Sequence, residues 1–442
     1  MKCTRSFNIK SLAVGLFMIM SYAHATDWKS QEQLINTGQL INNYKSDTNF
    51  TLSGFPQDML FRPLNLYSEH AKVQVLSDQG NHELPRSNRL FFISVNTNDK
   101  AAIYLNRNNG QLGGHITTGK IEYHLTSRKN SAQSQYIKLV EVDMEHDFDC
   151  ANEDLNQWDM PLPEKVNPAV VSKVAARGGN PVYQAQIIAD TDNEFLWNKF
   201  NNNTGNARDW IEDLFANMNL IYESELDLNL KIRNIILRVD TTPAGNPDFN
   251  QDPNNFNSGL SGFSNYWNGQ NGNDSSVFTA LLSGNSISSN SFSGVAWVNA
   301  YCSQGFGYSI NRLGSNFPAS VADLFVGHEI GHNLGSSHTH CEALGAGGSY
   351  VDQCYSNKNG CYAGPTSCPA GGAGTIMSYC HAPAAGFDGN GPQVGPPASP
   401  NCNTSEDMHP LIANKLAGRV QNNFPNCITS FQTDLIFANS FQ

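Results

Sequence analysis

The sequence is poor in basic residues, and after its first 25 positions it has no long apolar run. Its 27 lysines and arginines are outnumbered by 39 aspartates and glutamates, which gives a formal net charge of -12 over 442 residues. A chain this acidic has no electrostatic reason to bind nucleic acid or an anionic membrane. No later segment is long and apolar enough to cross a bilayer. We therefore expect neither a nucleic-acid partner nor a membrane partner.

The N-terminus, residues 1–25, has the pattern of a signal peptide. Basic Lys2, Arg5 and Lys10 are followed by an apolar run, and the segment ends in Ala-His-Ala, which fits the small-x-small rule for cleavage. Removal takes away three positive charges and no acidic residue, so the formal net charge falls from -12 to -15. We expect a secreted protein.

Cysteine is nearly absent before residue 300. Of the ten cysteines, Cys3 would leave with the signal peptide and Cys150 stands alone. The other eight are Cys302, Cys341, Cys354, Cys361, Cys368, Cys380, Cys402 and Cys427. Eight cysteines suffice for four disulfides in an exported, oxidised protein.

Residues 26–177 are predicted to be a separate, mostly β region. Strand-like runs separated by Asn, Gly and Ser turn signals support this, at residues 89–95, 102–105, 120–125 and 136–142. Residues 161–181 are then rich in Pro, Lys, Ala and Gly, which is typical of an exposed linker open to proteolysis. We expect maturation by cleavage near Arg177.

Residues 178–427 have the alternating pattern of an α/β domain. Strands are predicted at residues 182–190, 226–239 and 277–282, and helices at residues 206–222 and 407–424. Asp248 and Asp252, in an Asn/Gly/Pro-rich stretch, could hold a structural Ca²⁺ ion, although a solvated loop is the interpretation that we favour. Residues 428–442 form a C-terminal tail, interpreted as a sorting signal or a loosely packed strand.

One stretch, residues 328–338, has the sequence HEIGHNLGSSH, which is the pattern of a catalytic metal site. Residues four apart lie on the same face of a helix, so His328 and His332 can bind one ion. Gly335 is expected to end the helix, because glycine tolerates the left-handed conformation that reverses the chain. The reversal would return His338 as a third ligand.

Three histidines leave the fourth position of a tetrahedral zinc site open to water, whose pKa zinc lowers towards roughly 7. Glu329, beside the first histidine, is placed to accept that water's proton. The alternative is an amphipathic helix with surface histidines, and the third histidine at this spacing speaks against it.

With residues 375–379, TIMSY, the motif resembles the metzincin clan of zinc endopeptidases, closest to the adamalysin/reprolysin-like group. The resemblance implies an α/β (α+β) catalytic domain, in which a twisted mixed sheet supports the active-site helix, preceded by a mostly β propeptide domain. It implies one catalytic Zn²⁺ ion and a turn that places Met377 below the histidines as an apolar floor. Residues 294–302 resemble the strand that holds extended substrate in reprolysins. A core strand without an exposed edge is the alternative.

The resemblance also bears on the cysteines. It pairs Cys302 with Cys427, and it leaves the remaining six open among 15 pairings. Metzincin zymogens use a cysteine switch, in which an upstream thiolate binds the metal and blocks the water. Cys150 is the candidate for this role, and a free or transiently paired cysteine is the alternative.

Two residues depart from the reprolysin pattern. Thr339 follows the third histidine, where that group usually carries Asp. Tyr379 stands two residues after Met377, as in astacins and serralysins, where this tyrosine can ligate zinc or bind the tetrahedral intermediate. Its phenol is a candidate for oxyanion stabilisation, and a buried packing role is the alternative. His340 is interpreted as a bystander.

These patterns together predict a secreted zinc endopeptidase that is made as a zymogen, is monomeric when mature and cleaves extended protein or peptide substrates. Two alternatives from other classes are a zinc hydrolase of a non-peptide amide and a non-catalytic secreted adhesin on a protease fold. The Met-turn and the substrate strand speak against the first. An intact Glu329 speaks against the second, because a pure binder needs no general base.

Overall fold

The computed structural model describes residues 33–52, 59–95, 99–118, 121–131, 134–141, 181–239, 256–271, 277–285, 294–303, 305–314, 319–356, 360–367, 373–379, 403–404 and 408–432. The predictions for the signal peptide, for Cys150, for residues 161–180 and for the calcium candidates Asp248 and Asp252 lie outside these residues. Within the described ranges, no helix is both long enough and apolar enough to span a membrane.

The N-terminal region, residues 33–141, is mostly antiparallel β-sheet, as predicted. Its elements in chain order are β1 (Gln33–Asn36), α1 (Thr37–Lys45), β2 (Phe50–Leu52), β3 (Met59–Leu64), β4 (Tyr67–Leu76), β5 (His82–Leu84), β6 (Arg89–Val95), β7 (Asp99–Asn106), β8 (Leu112–Thr118), β9 (Ile121–Ser131) and β10 (Ser134–Glu141). Eight of the strands form one sheet in the order β1-β10-β9-β8-β7-β6-β3-β2. The four runs predicted from the sequence correspond to β6, β7, β9 and β10.

The C-terminal region, residues 181–432, has helices around a mixed sheet, which confirms the predicted fold class. Its elements in chain order are β11 (Tyr183–Thr191), α2 (Thr204–Leu226), β12 (Leu228–Arg238), α3 (Phe256–Asn271), β13 (Val277–Ser283), β14 (Gly294–Ala296), β15 (Tyr308–Arg312), α4 (Ala319–Leu334), β16 (Ala373–Gly374), β17 (Asn403–Thr404), α5 (Pro410–Asn423) and β18 (Thr429–Ser430). Strands β12, β11, β13 and β15 run parallel, and β14 is antiparallel to β15.

Helix α3 occupies a stretch in which the sequence analysis placed no helix. Its Asn, Gly and Ser content argues against a helix by intrinsic propensity. Leu260, Phe263 and Trp267 nevertheless share one helical face and are buried. Tertiary packing of this face therefore overrides the weak propensity.

Two strands of the N-terminal region belong to the mixed sheet, which departs from the expectation of a separate region. Strand β4 runs parallel to β12, with Val73 opposite Ile235 and Val75 opposite Leu237, and β5 pairs antiparallel with β4. The order of the mixed sheet is therefore β14-β15-β13-β11-β12-β4-β5. Helix α2 contacts β12 of this sheet and also β6 and β7 of the N-terminal sheet.

The described part of the C-terminal tail is attached to the mixed sheet. Strand β18 pairs antiparallel with the start of β11. Just before it, Cys427 forms a disulfide with Cys302, the pair that the resemblance implied. The remaining tail, residues 433–442, lies outside the described residues.

Candidate metal centre

Helix α4 carries the first two histidines of the motif and ends where the sequence predicted. The next residue, Gly335, has a φ of 117°, which side chains of L-residues rarely allow. The amides of Gly335 and Ser336 both donate to the carbonyl of Gly331, at 3.2 and 3.0 Å. These bonds satisfy the last turn of the helix and reverse the chain. His338 is thereby returned to the helix.

The three histidines of the motif meet in the interior of the C-terminal region. Their ring centroids are 4.5 Å apart for His328 and His332, 4.8 Å for His332 and His338, and 5.2 Å for His328 and His338. All three side chains are buried. Each offers one ring nitrogen within 4.8 Å of the other two, so one metal ion can contact all three.

Backbone carbonyls orient the first two rings. The Nδ1 atom of His328 lies 2.6 Å from the carbonyl oxygen of Ile376, and Nδ1 of His332 lies 2.7 Å from that of Ser336. A carbonyl oxygen only accepts, so in each neutral ring the proton is on Nδ1 and the lone pair is on Nε2. The two Nε2 atoms are 2.9 Å apart. Lone pairs at this distance repel unless they share a cation, so the donor set fits a zinc ion.

Glu329 is part of the active-site helix, and its side chain points towards the edge of the sheet. Its side chain is fully buried. Strand β14 passes directly against it, because a Cβ atom at Gly294 would overlap Oε1 of Glu329 and would lie 2.8 Å from its Cδ. Among the described residues, β14 is an edge strand of the mixed sheet. The carboxylate therefore lies against the strand that the resemblance assigned to substrate. Regular strand geometry covers only the first three of the nine predicted residues, Gly294–Ala296.

Met377 lies in a turn after the third histidine, and its side chain packs against helix α4. The side chain is fully buried. A Cβ atom at Gly331 would lie 2.5 Å from Sδ of Met377, so only a glycine allows the turn to approach this closely. The amide of Thr339 donates to the carbonyl of Met377 at 3.0 Å. The turn is thus connected both to α4 and to the loop after the third histidine.

Tyr379 and His340 line the same cluster of rings. The Tyr379 ring centroid is 4.1 Å from that of His338, and the side chain is buried. His340 stacks on His338 at 5.5 Å. His340 also lies near Cys341 and Cys361, in a group that could hold a metal, but these two cysteines form a disulfide and offer no thiolate. This bridge is one of the pairings that the sequence left open.

Two carboxylates that the sequence analysis did not single out hold the loop around His338. Oε1 of Glu342 accepts from the amide of Ser337 and from Nζ of Lys415, both at 2.6 Å. Asp352 accepts from the hydroxyl of Thr339. Burial raises the pKa of Asp352, and the Thr339 hydrogen bond acts in the opposite direction. The sequence marked Thr339 as unusual, because the reprolysin pattern has an acid there, but nothing in it identified Asp352 as the partner.

Three buried histidines converge beside a mixed sheet, two of them on the helix that also carries Glu329, and the turn of Met377 packs against that helix. This arrangement is that of a metallopeptidase domain. Residues 183–387 match a reprolysin family model described as "Metallo-peptidase family M12". This part of the chain is a reprolysin-like metzincin domain. The solved structures that match include the crystal structure of metalloproteinase-II from Bacteroides fragilis, with 12% identity and a TM-score of 0.36 over 70% of this chain and 88% of that chain. The comparison with curated proteins gave no match.

Proposed function

We propose that the protein is a secreted zinc endopeptidase, made as a zymogen, that cleaves extended protein or peptide substrates and is monomeric when mature. The observation that carries this proposal is the convergence of two Nε2 lone pairs, from His328 and His332, beside the buried Glu329. His338 completes the ligand set. The match to a metallopeptidase family supports the reaction class.

Zinc held by the three rings would supply a Lewis acid that polarises the scissile carbonyl and acidifies water. Glu329 accepts a proton from the attacking water and returns it to the leaving amine. The carbonyls of Ile376 and Ser336 keep His328 and His332 in the tautomer that ligation needs. Tyr379, whose ring lies 4.1 Å from that of His338, would donate a hydrogen bond to the developing oxyanion.

Substrate is proposed to bind along β14. An extended peptide can add to an edge strand through main-chain hydrogen bonds, which give affinity without selecting side chains. The contact between Gly294 and Glu329 would place the scissile bond next to the general base. Latency is proposed to come from Cys150, and Cys150→Ser would then yield a precursor that activates prematurely. Unchanged latency of that variant would remove the switch from the proposal.

Clearing of casein in a non-denaturing gel, where cut fragments can stay together, tests the reaction of the processed protein. Clearing is expected from the natural enzyme and from the control variant Glu83→Gln, which changes an exposed glutamate far from Glu329 in the sequence. Clearing should be lost in Glu329→Gln and after chelation. Metal analysis should find one zinc per chain, and less in His338→Ala. A non-peptide amide hydrolase would leave casein intact and cleave a small amide substrate. An adhesin would show no hydrolysis, and Glu329→Gln would leave its binding unchanged.

A further inference from the structure

We propose that residues 33–141 remain bound to residues 181–432 after the chain between them is cut, as a permanent part of the folded enzyme. This goes beyond the proposed function, because cleavage of the connecting chain would activate the enzyme without releasing the N-terminal region. Three independent features of the contact between the two regions carry the proposal: a shared sheet, a shared core and buried ion pairs.

The shared sheet joins the regions through main-chain hydrogen bonds. Besides the β4–β12 ladder, the amide of Ile232 donates to the carbonyl of Leu66 at 2.7 Å, and the amide of Val239 donates to that of Leu76 at 2.8 Å. Loss of β4 would leave β12 as an open edge of the mixed sheet. Such an edge presents unpaired backbone groups along its whole length and favours aggregation.

The hydrophobic core also crosses the boundary. A single cluster of buried side chains contains residues of both regions, and its N-terminal members include Val73, Val75, Phe91 and Ile93. Helix α2 contacts both sheets, and from Ile211 to Glu223 all of its side chains except Asp213 are buried, including Phe215. A helical segment that is buried on nearly all sides belongs in the middle of a core rather than at its surface. Departure of the N-terminal region would expose this helix to water.

Buried ion pairs add charge complementarity. The Glu212 side chain of α2 is fully buried, and its carboxylate accepts from Tyr67 at 2.6 Å and from Arg89 at 2.9 Å. Arg89 also reaches Asp213 at 2.7 Å, and a second buried pair joins Arg62 to Glu223. Separation would leave these acids without their cationic partners, and an unpaired buried charge is strongly unfavourable. The contact therefore resembles an obligate interface rather than a transient one.

The test uses the full chain, with a recognition sequence for a site-specific protease in place of residues 165–171. After complete cutting, gel filtration is run in about 1 M NaCl with chelator, where charges screen within about 3 Å and the sheet and core remain. Both fragments are expected to elute together, in equal amounts, at the volume of the uncut protein. Elution of the N-terminal fragment alone would overturn the proposal, whether the C-terminal fragment stays soluble or precipitates. Catalysis is not measured, so an inactive enzyme would not change this result.

Variants identify the contact that holds the fragments together. Arg89→Ala should raise the dissociation constant of the cut complex by about 30-fold or more, the range for truncating a buried charge pair. Arg128→Ala is the matched control, because this arginine is exposed on β9 and stacks on Tyr136 within the N-terminal sheet. Equal dissociation constants for the two variants would count against the interface. If the Arg89→Ala precursor does not fold, Arg62→Ala takes its place.

Discussion

Asp352 accepts a hydrogen bond from the hydroxyl of Thr339, the residue that follows the third histidine of the motif. The amide of Thr339 in turn donates to the carbonyl of Met377. This chain of contacts connects the third histidine and the methionine turn with Asp352, which lies in the cysteine-rich segment between Cys341 and Cys361. The reprolysin pattern has an acid directly after the histidine, whereas this protein has Thr339, whose hydroxyl donates to a carboxylate from another segment.

Asp352→Ala should therefore loosen the metal site without touching a ligand. We expect zinc affinity to fall about 10-fold, the lower end of the range for a group that hydrogen-bonds a ligand directly, because Asp352 acts through Thr339. Competition with a chromogenic chelator measures it. Asp352→Asn is the matched control, because its amide oxygen can still accept from the amide of Cys354 while its amide nitrogen donates to the hydroxyl oxygen of Thr339. Equal zinc affinities of Asp352→Ala and the natural protein would show that the hydrogen bond from Thr339 to Asp352 does not stabilise the metal site.

Gly294→Ala should impair catalysis while zinc stays bound. The added methyl group would overlap the Glu329 carboxylate, which must then move. A displacement of about 1 Å in a catalytic group can cost about 10²-fold in rate, so we expect kcat/KM to fall by that order. Gly269→Ala, on α3 with no heavy atom near its added Cβ, is the control and should be fully active. Full activity of Gly294→Ala would place β14 away from the general base.

Tyr379→Phe separates the two roles considered for this residue. If the phenol stabilises the oxyanion, kcat should fall about 10²- to 10³-fold with zinc content unchanged. The control is Tyr355→Phe, whose ring lies 5.2 Å from Tyr379 in the same cluster. A Tyr379→Phe enzyme with unchanged kcat would assign the residue to packing alone.

A buried carboxylate outside the site should make stability depend on pH. Burial raises the pKa of Asp192 from 3.8 to about 6, so the folded protein binds this proton more tightly than the unfolded chain. The resulting stabilisation is complete below about pH 4 and is lost as the pH rises through about 6. Asp192→Asn can still accept from the amides of Phe195 and Gly284 at the same oxygen.

The variant should therefore gain on the order of 3 kcal/mol over the natural protein between about pH 4 and pH 7. Urea unfolding of metal-free protein at several pH values measures the difference, because zinc loss in acid then affects neither protein. Asp78→Asn, in an exposed turn, is the control. A constant difference between Asp192→Asn and the natural protein across this range would contradict the expected titration.

The predictions that rested on local pattern agree closely with the structure. The strand predicted at residues 89–95 is β6, and the helix predicted at residues 206–222 is the middle of α2. Helix α3 was missed because its composition disfavours a helix and only its packing stabilises one. The partnership of Asp352 and Thr339 could not be predicted either, because it depends on how the cysteine-rich segment folds back.

The sequence by itself determined the spacing of the histidines, the glycine that ends their helix and the two periodicities of the strands and helices. All of these depend on interactions between residues close together in the chain, which the order of side chains specifies directly. Only the tertiary structure decided that β4 would extend the sheet at β12 and that Arg89 would meet Glu212, 123 residues away. Such partners meet through packing and charge over long chain separations, and no local periodicity marks them in advance.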